Sequence, residues 1–383
     1  MAELVKEDFR PLIGGSVDYS ALIRKELDDM TPYTPGLRAS ELRKRFGRDD
    51  FIKVSSNEYH AGPVPEALRA IAALSSRVNR YPDGSARALK RRIAKWLDVD
   101  HANVAVGAGS NELIRLIAQA VLRPGDEVVF SWPSFVVYPM VAQMFGATAV
   151  RVPLSETDTH DLDRMLQAIT ERTRIVFLCN PNNPTGTIYH RLAFERFLSE
   201  VPEHVLVVAD EAYFEFVTDE HFPDALEYFD GSRPLCVLRT FSKIYSLAGL
   251  RIGYGVLPEP VRVAVDKLRE PFNTNMLGQI AAYYSMMAYD EIDRRTRENA
   301  ECRTRLCEAF DELGFEYAAS QANFVYLKCD RPKELFEALL GEGIIVRDFG
   351  DTPALRVTVA SPEDTDAVIE AFGNASVRLG GNV

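Results

Sequence analysis

The chain reads as an α/β protein: a mostly parallel sheet sandwiched by helices, followed by a smaller α+β C-terminal domain. Three observations predict this. From about residue 100, short and continuously apolar segments alternate with amphipathic ones, and strands apolar throughout belong to parallel sheets covered on both faces. After Pro271 the pattern changes to a long polar helical stretch and then short strands mixed with helices. Finally, 383 residues exceed what one core ordinarily holds. The expected division is an N-terminal segment (1–40) packing on the small domain or reaching a partner, a large domain (41–270) and a small domain (271–383).

The elements follow in order. "NVAVG" is a strand leading into the helical "NELIRLIAQAVL"; "DEVVFSWP" leads into "SFVVYPMVAQMFG", and "TAVRVPL" into "DLDRMLQAIT". "TRIVFLCNP" precedes "HRLAFERFLSEV", then come "HVLVVADEAY", "LCVLRTFSK" and "LRIGYGVL". The stretch "QIAAYYSMMAYDEIDRRTRENAECRTRLCEAFDELG" predicts one long helix. Strand "FVYLKC", helix "PKELFEALLGEG", strands "IIVRDF" and "ALRVTVA", and a helix from Pro362 complete the chain.

Composition excludes several functions. A net charge of -12 argues against a general binder of nucleic-acid backbones. Five cysteines, an odd number with no CxxC pair, predict a reducing, cytoplasmic location rather than a disulfide framework. The first residues carry acids and no signal-like apolar core, and no apolar run reaches membrane-span length. Six scattered histidines, expected on the surface or in loops, offer no zinc spacing.

Chemistry concentrates at strand ends, where parallel sheets bind ligands. In "VLVVADEAYFEF" the most apolar strand ends in two carboxylates, Asp210 and Glu211. A buried anion is costly unless a cation or hydrogen-bond donor meets it, and no neighbour in sequence supplies one. "RTFSKIYSLAGLR" places Lys243 just past another strand with Thr240, Ser242 and Arg251, a setting for an imine-forming amine beside an anion site. "GAGSNELIRL" sets Gly107, Gly109 and Ser110 at a turn into a helix, where free amides and the helix dipole suit a phosphate. "NPNNPTG" adds a rigid loop with Asn183 as a donor into the cleft. A phosphorylated pyridine aldehyde would satisfy all of these, its protonated ring nitrogen being the cation that Asp210 lacks.

Taken together, "NPNNPTG", "DEAY", "RTFSK" with "LAGLRIGY", "RYPDG", "SQANFVYL" and "LRVTVA" resemble the motifs of fold-type I aminotransferases dependent on pyridoxal 5′-phosphate. Within these the chain resembles the histidinol-phosphate and aromatic branch, from "PYTPG" near residue 33 to "LRVTVA" near 358. The resemblance implies a seven-stranded-type sheet and a homodimer with active sites near the interface. It implies that Lys243 forms the imine with the cofactor and is the catalytic base, and that Asp210 pairs with the pyridine nitrogen. Tyr213 and Asn183 would bond the ring's phenolic oxygen, and Phe135 would stack on the ring. Ala108, Gly109, Ser110, Thr240, Ser242 and Arg251 would hold the phosphate. Arg356 is implied as the carboxylate clamp, Arg347 as the site of a substrate phosphate or distal carboxylate, Tyr33 as a substrate contact, and Asn57 as a neighbour of the cofactor.

One motif departs. The family commonly reads Asn-Glu-x-Pro-Tyr-Gly-Pro where this chain has "NEYHAGP". Ala61 stands where the tyrosine reaching the partner's cofactor phosphate is expected, with Tyr59 and His60 as possible substitutes. The implied reaction moves an amino group between histidinol phosphate, or a related aromatic or imidazole amine, and 2-oxoglutarate/glutamate by a ping-pong route. Alternatives are an aromatic amino-acid or specialised-pathway aminotransferase, a phosphoamino-acid decarboxylase on the same fold, and a non-catalytic sensor, for which no basic DNA-binding segment is present.

Overall fold

The computed structural model of the chain describes residues 22–28, 30, 39–350 and 352–380. A short strand, β1 (Ile52–Lys53), precedes a seven-stranded sheet. Its strands are β2 (Val104–Gly107), β3 (Glu127–Trp132), β4 (Thr148–Pro153), β5 (Thr173–Cys179), β6 (Leu206–Asp210), β7 (Leu235–Thr240) and β8 (Gly253–Val256). They lie in the order β2-β8-β7-β6-β5-β3-β4, and only β8 runs antiparallel to its neighbours.

Alternation along each strand feeds two faces. Val208 packs with Phe130, Phe177 and helix Ser110–Val121, whereas Val207 and Ala209 pack with Phe194 and Phe197 of helix Arg191–Glu200. Every residue of β6 is buried, including its terminal Asp210. The doubly covered sheet thus delivers that carboxylate to a dry site.

The second sheet orders as β12-β13-β10-β9 and is antiparallel, from β9 (Glu316–Tyr317), β10 (Phe324–Lys328), β12 (Arg347–Asp348) and β13 (Ala354–Thr358). Between them in sequence, β11 (Ile344–Ile345) pairs instead with β1. Helices Pro332–Gly341 and Pro362–Leu379 cover this unit, with Phe310 and Phe372 at its centre, their rings 4.9 Å apart.

Two sequence expectations change. The single long helix is two, Met276–Ser285 and Tyr289–Glu312. No Pro or Gly marks the break at residues 286–288; packing sets it. The first helix buries Ala281 and Ala282 in the core shared with helix Pro65–Leu74, while the second carries Ile292 against that core and Leu306 and Phe310 into the small unit. Asp290 and Glu291 in its first turn suit the new N-terminus. The unit edges also shift. β1 pairs with β11, Val54 joins the small core, and Leu42 packs on Leu340 and Ile345, so this stretch sits with the C-terminal unit rather than the 41–270 one. Helix Met276–Ser285 goes the opposite way.

Candidate active site

The ends of β6 and β7 and the loops after β2, β3 and β5 converge on one site. Asp210 is 2% exposed; its Oδ2 accepts from the Tyr138 hydroxyl at 2.8 Å, and Oδ1 has no hydrogen-bond partner among the described residues. Burial pushes its carboxyl up to about 6. The second carboxylate is satisfied differently. Glu211 accepts from Arg239 of the adjacent strand at 2.8 and 2.9 Å and from the Ala225 amide at 2.9 Å. One acid of the pair is therefore structural, and the other holds an open acceptor at the strand tip.

Lys243 follows β7, with Nζ 5.4 Å from the centre of the Tyr213 ring. Burial, reinforced by the Arg356 guanidinium, pushes its amine down to about 7. The Tyr213 hydroxyl accepts from Asn57 Nδ2 at 2.9 Å, and burial pushes the phenol up to about 12. Asn57 is buried at φ 53, held through the Thr358 hydroxyl and Asn323.

The residues expected around a phosphate do gather. Gly109 has φ +82 and precedes helix Ser110–Val121; a Cβ there would lie 2.9 Å from Arg251 Nη2. Arg251 Nη1 reaches the Ser242 hydroxyl at 3.5 Å, and Thr240 Oγ1 donates to Ser242 Oγ at 3.0 Å. Ala108 differs from expectation. Its amide already donates to Glu112 Oε2 at 2.7 Å, which also takes Asn273. A Cβ on Gly253 would come within 2.6 Å of the Ser110 amide, so the loop and β8 approach as only glycine permits.

The "NPNNPTG" carboxamides divide their work. Asn180 Oδ1 takes the Tyr189 amide, bracing the loop itself, and Asn182 takes the Ser134 hydroxyl, tying it to the loop after β3. Only Asn183 turns to the cleft, where its Oδ1 accepts from Arg356. Arg356 Nη2 also donates to the Ser55 carbonyl at 3.0 Å, and its guanidinium lies over the Phe324 ring. Arg347 sits opposite Arg356 in the register of β12 and β13 and is half-buried. Phe135 packs edge-on to Tyr138, centroids 5.7 Å apart. Tyr33 lies outside the described residues.

Tyr138 was not among the expected site residues. Its signal was the i, i+3 spacing from Phe135 in "SFVVYP", which puts both rings on one side of a turn. The proposed stand-ins for the missing tyrosine are occupied: the Tyr59 hydroxyl and His60 Nε2 both engage Glu298 Oε1, at 2.8 and 2.9 Å. His160, expected at the surface or in a loop, is a loop residue but buried, and burial pushes its imidazole down to about 4.

The donor set fits a phosphorylated pyridine aldehyde on this geometry. A buried, orphaned carboxylate oxygen awaits a ring N–H, a low-pKa amine stands near the tyrosine face, and a glycine turn with two hydroxyls and an arginine forms an anion cradle. A profile of the family described as "Aminotransferase class I and II" matches residues 49–372. The chain belongs to this family. It is an aminotransferase, and its cofactor is pyridoxal 5′-phosphate. Among similar curated proteins, the histidinol-phosphate aminotransferase of Moorella thermoacetica is 42% identical over 355 residues, 91% of this chain and 92% of that protein. The aromatic amino acid aminotransferase of Rhodococcus erythropolis is 42% identical over 94% of this chain and 97% of its own. Among solved structures, histidinol-phosphate aminotransferase from Sinorhizobium meliloti in complex with pyridoxal-5′-phosphate aligns with a TM-score of 0.83 at 27% identity, covering 92% of this chain and 99% of that one. No helix among the described residues is long and apolar enough to cross a membrane.

Proposed function

We propose that this aminotransferase moves an amino group between histidinol phosphate, or a related imidazole or aromatic amine, and 2-oxoglutarate/glutamate in two half-reactions. The observation that carries the reading is the open Oδ1 of Asp210 in the same cleft as the depressed amine of Lys243. The cofactor, when bound, supplies the electron sink that acidifies the substrate Cα–H. Asp210 would hold the pyridine N–H, and Tyr213 with Asn183 would orient the ring through its phenolic oxygen. Phe135 would cover its face. Gly109, Ser110, Thr240, Ser242 and Arg251 would hold the phosphate. Lys243 would take the proton from Cα of the amino donor and pass it to the bound cofactor, and in the second half-reaction would give a proton to Cα of the incoming keto acid, the role its neutral amine suits at physiological pH.

Arg356 would clamp a substrate carboxylate, because its planar fork matches two oxygens. Arg347, one strand over, would take a phosphate or distal carboxylate. Arg356→Ala is expected to raise KM for glutamate about 10–100-fold, the worth of a charged hydrogen-bonded contact, with a smaller change in kcat. Steady-state assays of both parameters check this, and an unchanged KM rejects the clamp.

Substrate choice has two supported outcomes. Relatives of equal identity carry the histidinol-phosphate and the aromatic names, and the half-buried Phe349 ring beside Arg356 offers an apolar surface to an aromatic side chain. Comparing kcat/KM for histidinol phosphate and phenylalanine decides. The first reading requires the former to win, and to lose its lead in Arg347→Ala.

A cytoplasmic homodimer completes the proposal. All five cysteines are free thiols, in keeping with a reducing compartment. Tyr81, 79% exposed, stacks on Phe272, 42% exposed, and Leu68, Tyr284 and Met287 are also exposed on and beside the packed helices Pro65–Leu74 and Met276–Ser285. An apolar surface of this kind marks a contact. Light scattering should give twice the chain mass for the wild type, and a monomeric mass under micromolar conditions rejects the dimer.

A further inference from the structure

The cup that would hold the cofactor's phosphate stands on the turn at residues 107–109, and a side chain outside the cup braces that turn. Glu112 occupies the third position of helix Ser110–Val121, and the residue before the helix, Gly109, has no side chain to cap the open amides of the first turn. An acid at this position ordinarily reaches back to the amide of the capping residue itself. Glu112 reaches one residue further: its Oε2 accepts the Ala108 amide at 2.7 Å. The approach needs Gly107 as well, because a Cβ there would stand 3.1 Å from that oxygen and 3.0 Å from Leu113 Cγ.

The same oxygen is fastened by Asn273, in the segment between helices Glu259–Leu268 and Met276–Ser285. Asn273 Nδ2 donates to Glu112 Oε2 at 2.7 Å, while its Oδ1 accepts from Arg269 Nη1 at 3.2 Å. Arg269 is itself held, Nε donating to Asp266 Oδ1 at 3.0 Å. The Asn273 amide is thereby oriented, its carbonyl to the arginine and its N–H to the carboxylate. Both donors to Glu112 are neutral amides from outside the helix. Their grip matters for an anion at the helix start in two ways. It fixes the Ala108 peptide that leads into Gly109 at φ +82. It also restrains the carboxylate, which, if loose in a first turn, would be drawn to the same amides and dipole as a phosphate and compete with it.

We infer that Glu112 is a positioning residue for the cofactor's phosphate: tied to the Ala108 amide and to Asn273, it fixes the turn that presents the helix's first amides, without touching the anion itself. This role rests on the phosphate cup proposed above. The readout is the ratio of two equilibrium affinities of the apoprotein, for pyridoxal 5′-phosphate and for pyridoxal, each followed by the absorbance change on uptake. The two compounds share ring and aldehyde, and only the first uses the cup. Glu112→Ala is expected to weaken pyridoxal phosphate about 10–100-fold, the range of a hydrogen bond to a charged group, and to leave pyridoxal unchanged. Glu112→Gln keeps an acceptor for both amides and should restore most of the lost affinity. Asn273→Ala leaves the carboxylate in place but unfastened, so it remains informative if Glu112→Ala fails to fold, and it should lower the same ratio. Arg251→Ala separates this role from the cup. Where that variant lowers the ratio, the cup stands, and an unchanged ratio in both Glu112→Ala and Asn273→Ala overturns the positioning role alone. Where Arg251→Ala leaves the ratio unchanged, cup and positioning role fall together. Equal weakening of both compounds by Glu112→Ala would make Glu112 a general structural residue, and tighter binding of pyridoxal phosphate would make it a repelling charge; either result overturns the proposal.

Discussion

Lys243→Ala is expected to lower kcat by about 10³–10⁴-fold or more, the upper range of what a positioned proton-transfer group contributes. No neighbour among the described residues can take over. The Tyr213 phenol, under the lysine amine, is pushed up to about 12 and is held by Asn57, so it is not a base at neutral pH. The Arg356 and Arg251 guanidiniums offer donors only and have no acceptor for a proton. The lysine itself is prepared by its setting: burial and the Arg356 charge bring its amine down to about 7 from the ordinary 10.5. Its neutral, nucleophilic form is therefore the minor species at pH 6 and the major one at pH 8. Uptake of pyridoxal phosphate by apoprotein, followed by the change in cofactor absorbance, should slow about tenfold per pH unit below 7 and level off above it. Lys243→Arg keeps the positive charge and should restore neither uptake chemistry nor turnover. Full activity in Lys243→Ala, or an uptake rate flat from pH 5 to 8, would remove the lysine from its role.

Much of this site was legible because it hangs on strand ends, where local sequence and position coincide. Asp210, Asn183, Lys243 and Ser110 each follow an apolar run by one to four residues, and the parallel sheet brings those ends together. What escaped was decided across strands. Arg239 answers Glu211 from 28 residues away, and nothing in "RTFSK" distinguishes an arginine facing inward on β7 from a surface one. The Ala108 amide looked like a phosphate donor until Glu112, one helical turn on, claimed it. The interruption at residues 286–288 lacks any helix breaker; only the demands of two separate cores produce it. The two-residue strand β1 carries too little pattern to reveal that its partner is β11.

Asp210→Asn tests the electrostatic centre of the site with almost no change of shape. The amide keeps an acceptor for the Tyr138 hydroxyl but cannot balance a protonated pyridine. Removing one partner of a buried charge pair costs roughly 3–5 kcal/mol, so kcat should fall by about 10²- to 5 × 10³-fold and cofactor retention should weaken. The apoprotein offers an independent readout. Without the cofactor the Asp210 charge is uncompensated, and burial raises its carboxyl from the ordinary 3.8 to about 6. The folded state then binds the proton more tightly than the unfolded chain, so this group's contribution is most favourable below about pH 4 and is lost as pH rises toward 6. Asparagine does not titrate. Urea unfolding of the two apoproteins at pH 4, 5, 6 and 7 should therefore show wild type losing stability relative to the variant across pH 4–6, and a constant difference outside that window. In the cofactor-loaded proteins the order should reverse near neutrality, because the ring cation turns the same carboxylate from a cost into a partner. A wild-type apoprotein that gains on Asp210→Asn between pH 4 and 6 would mean that the carboxylate already has its counter-charge within the protein, and the cofactor would not be needed to explain why an apolar strand ends in an acid.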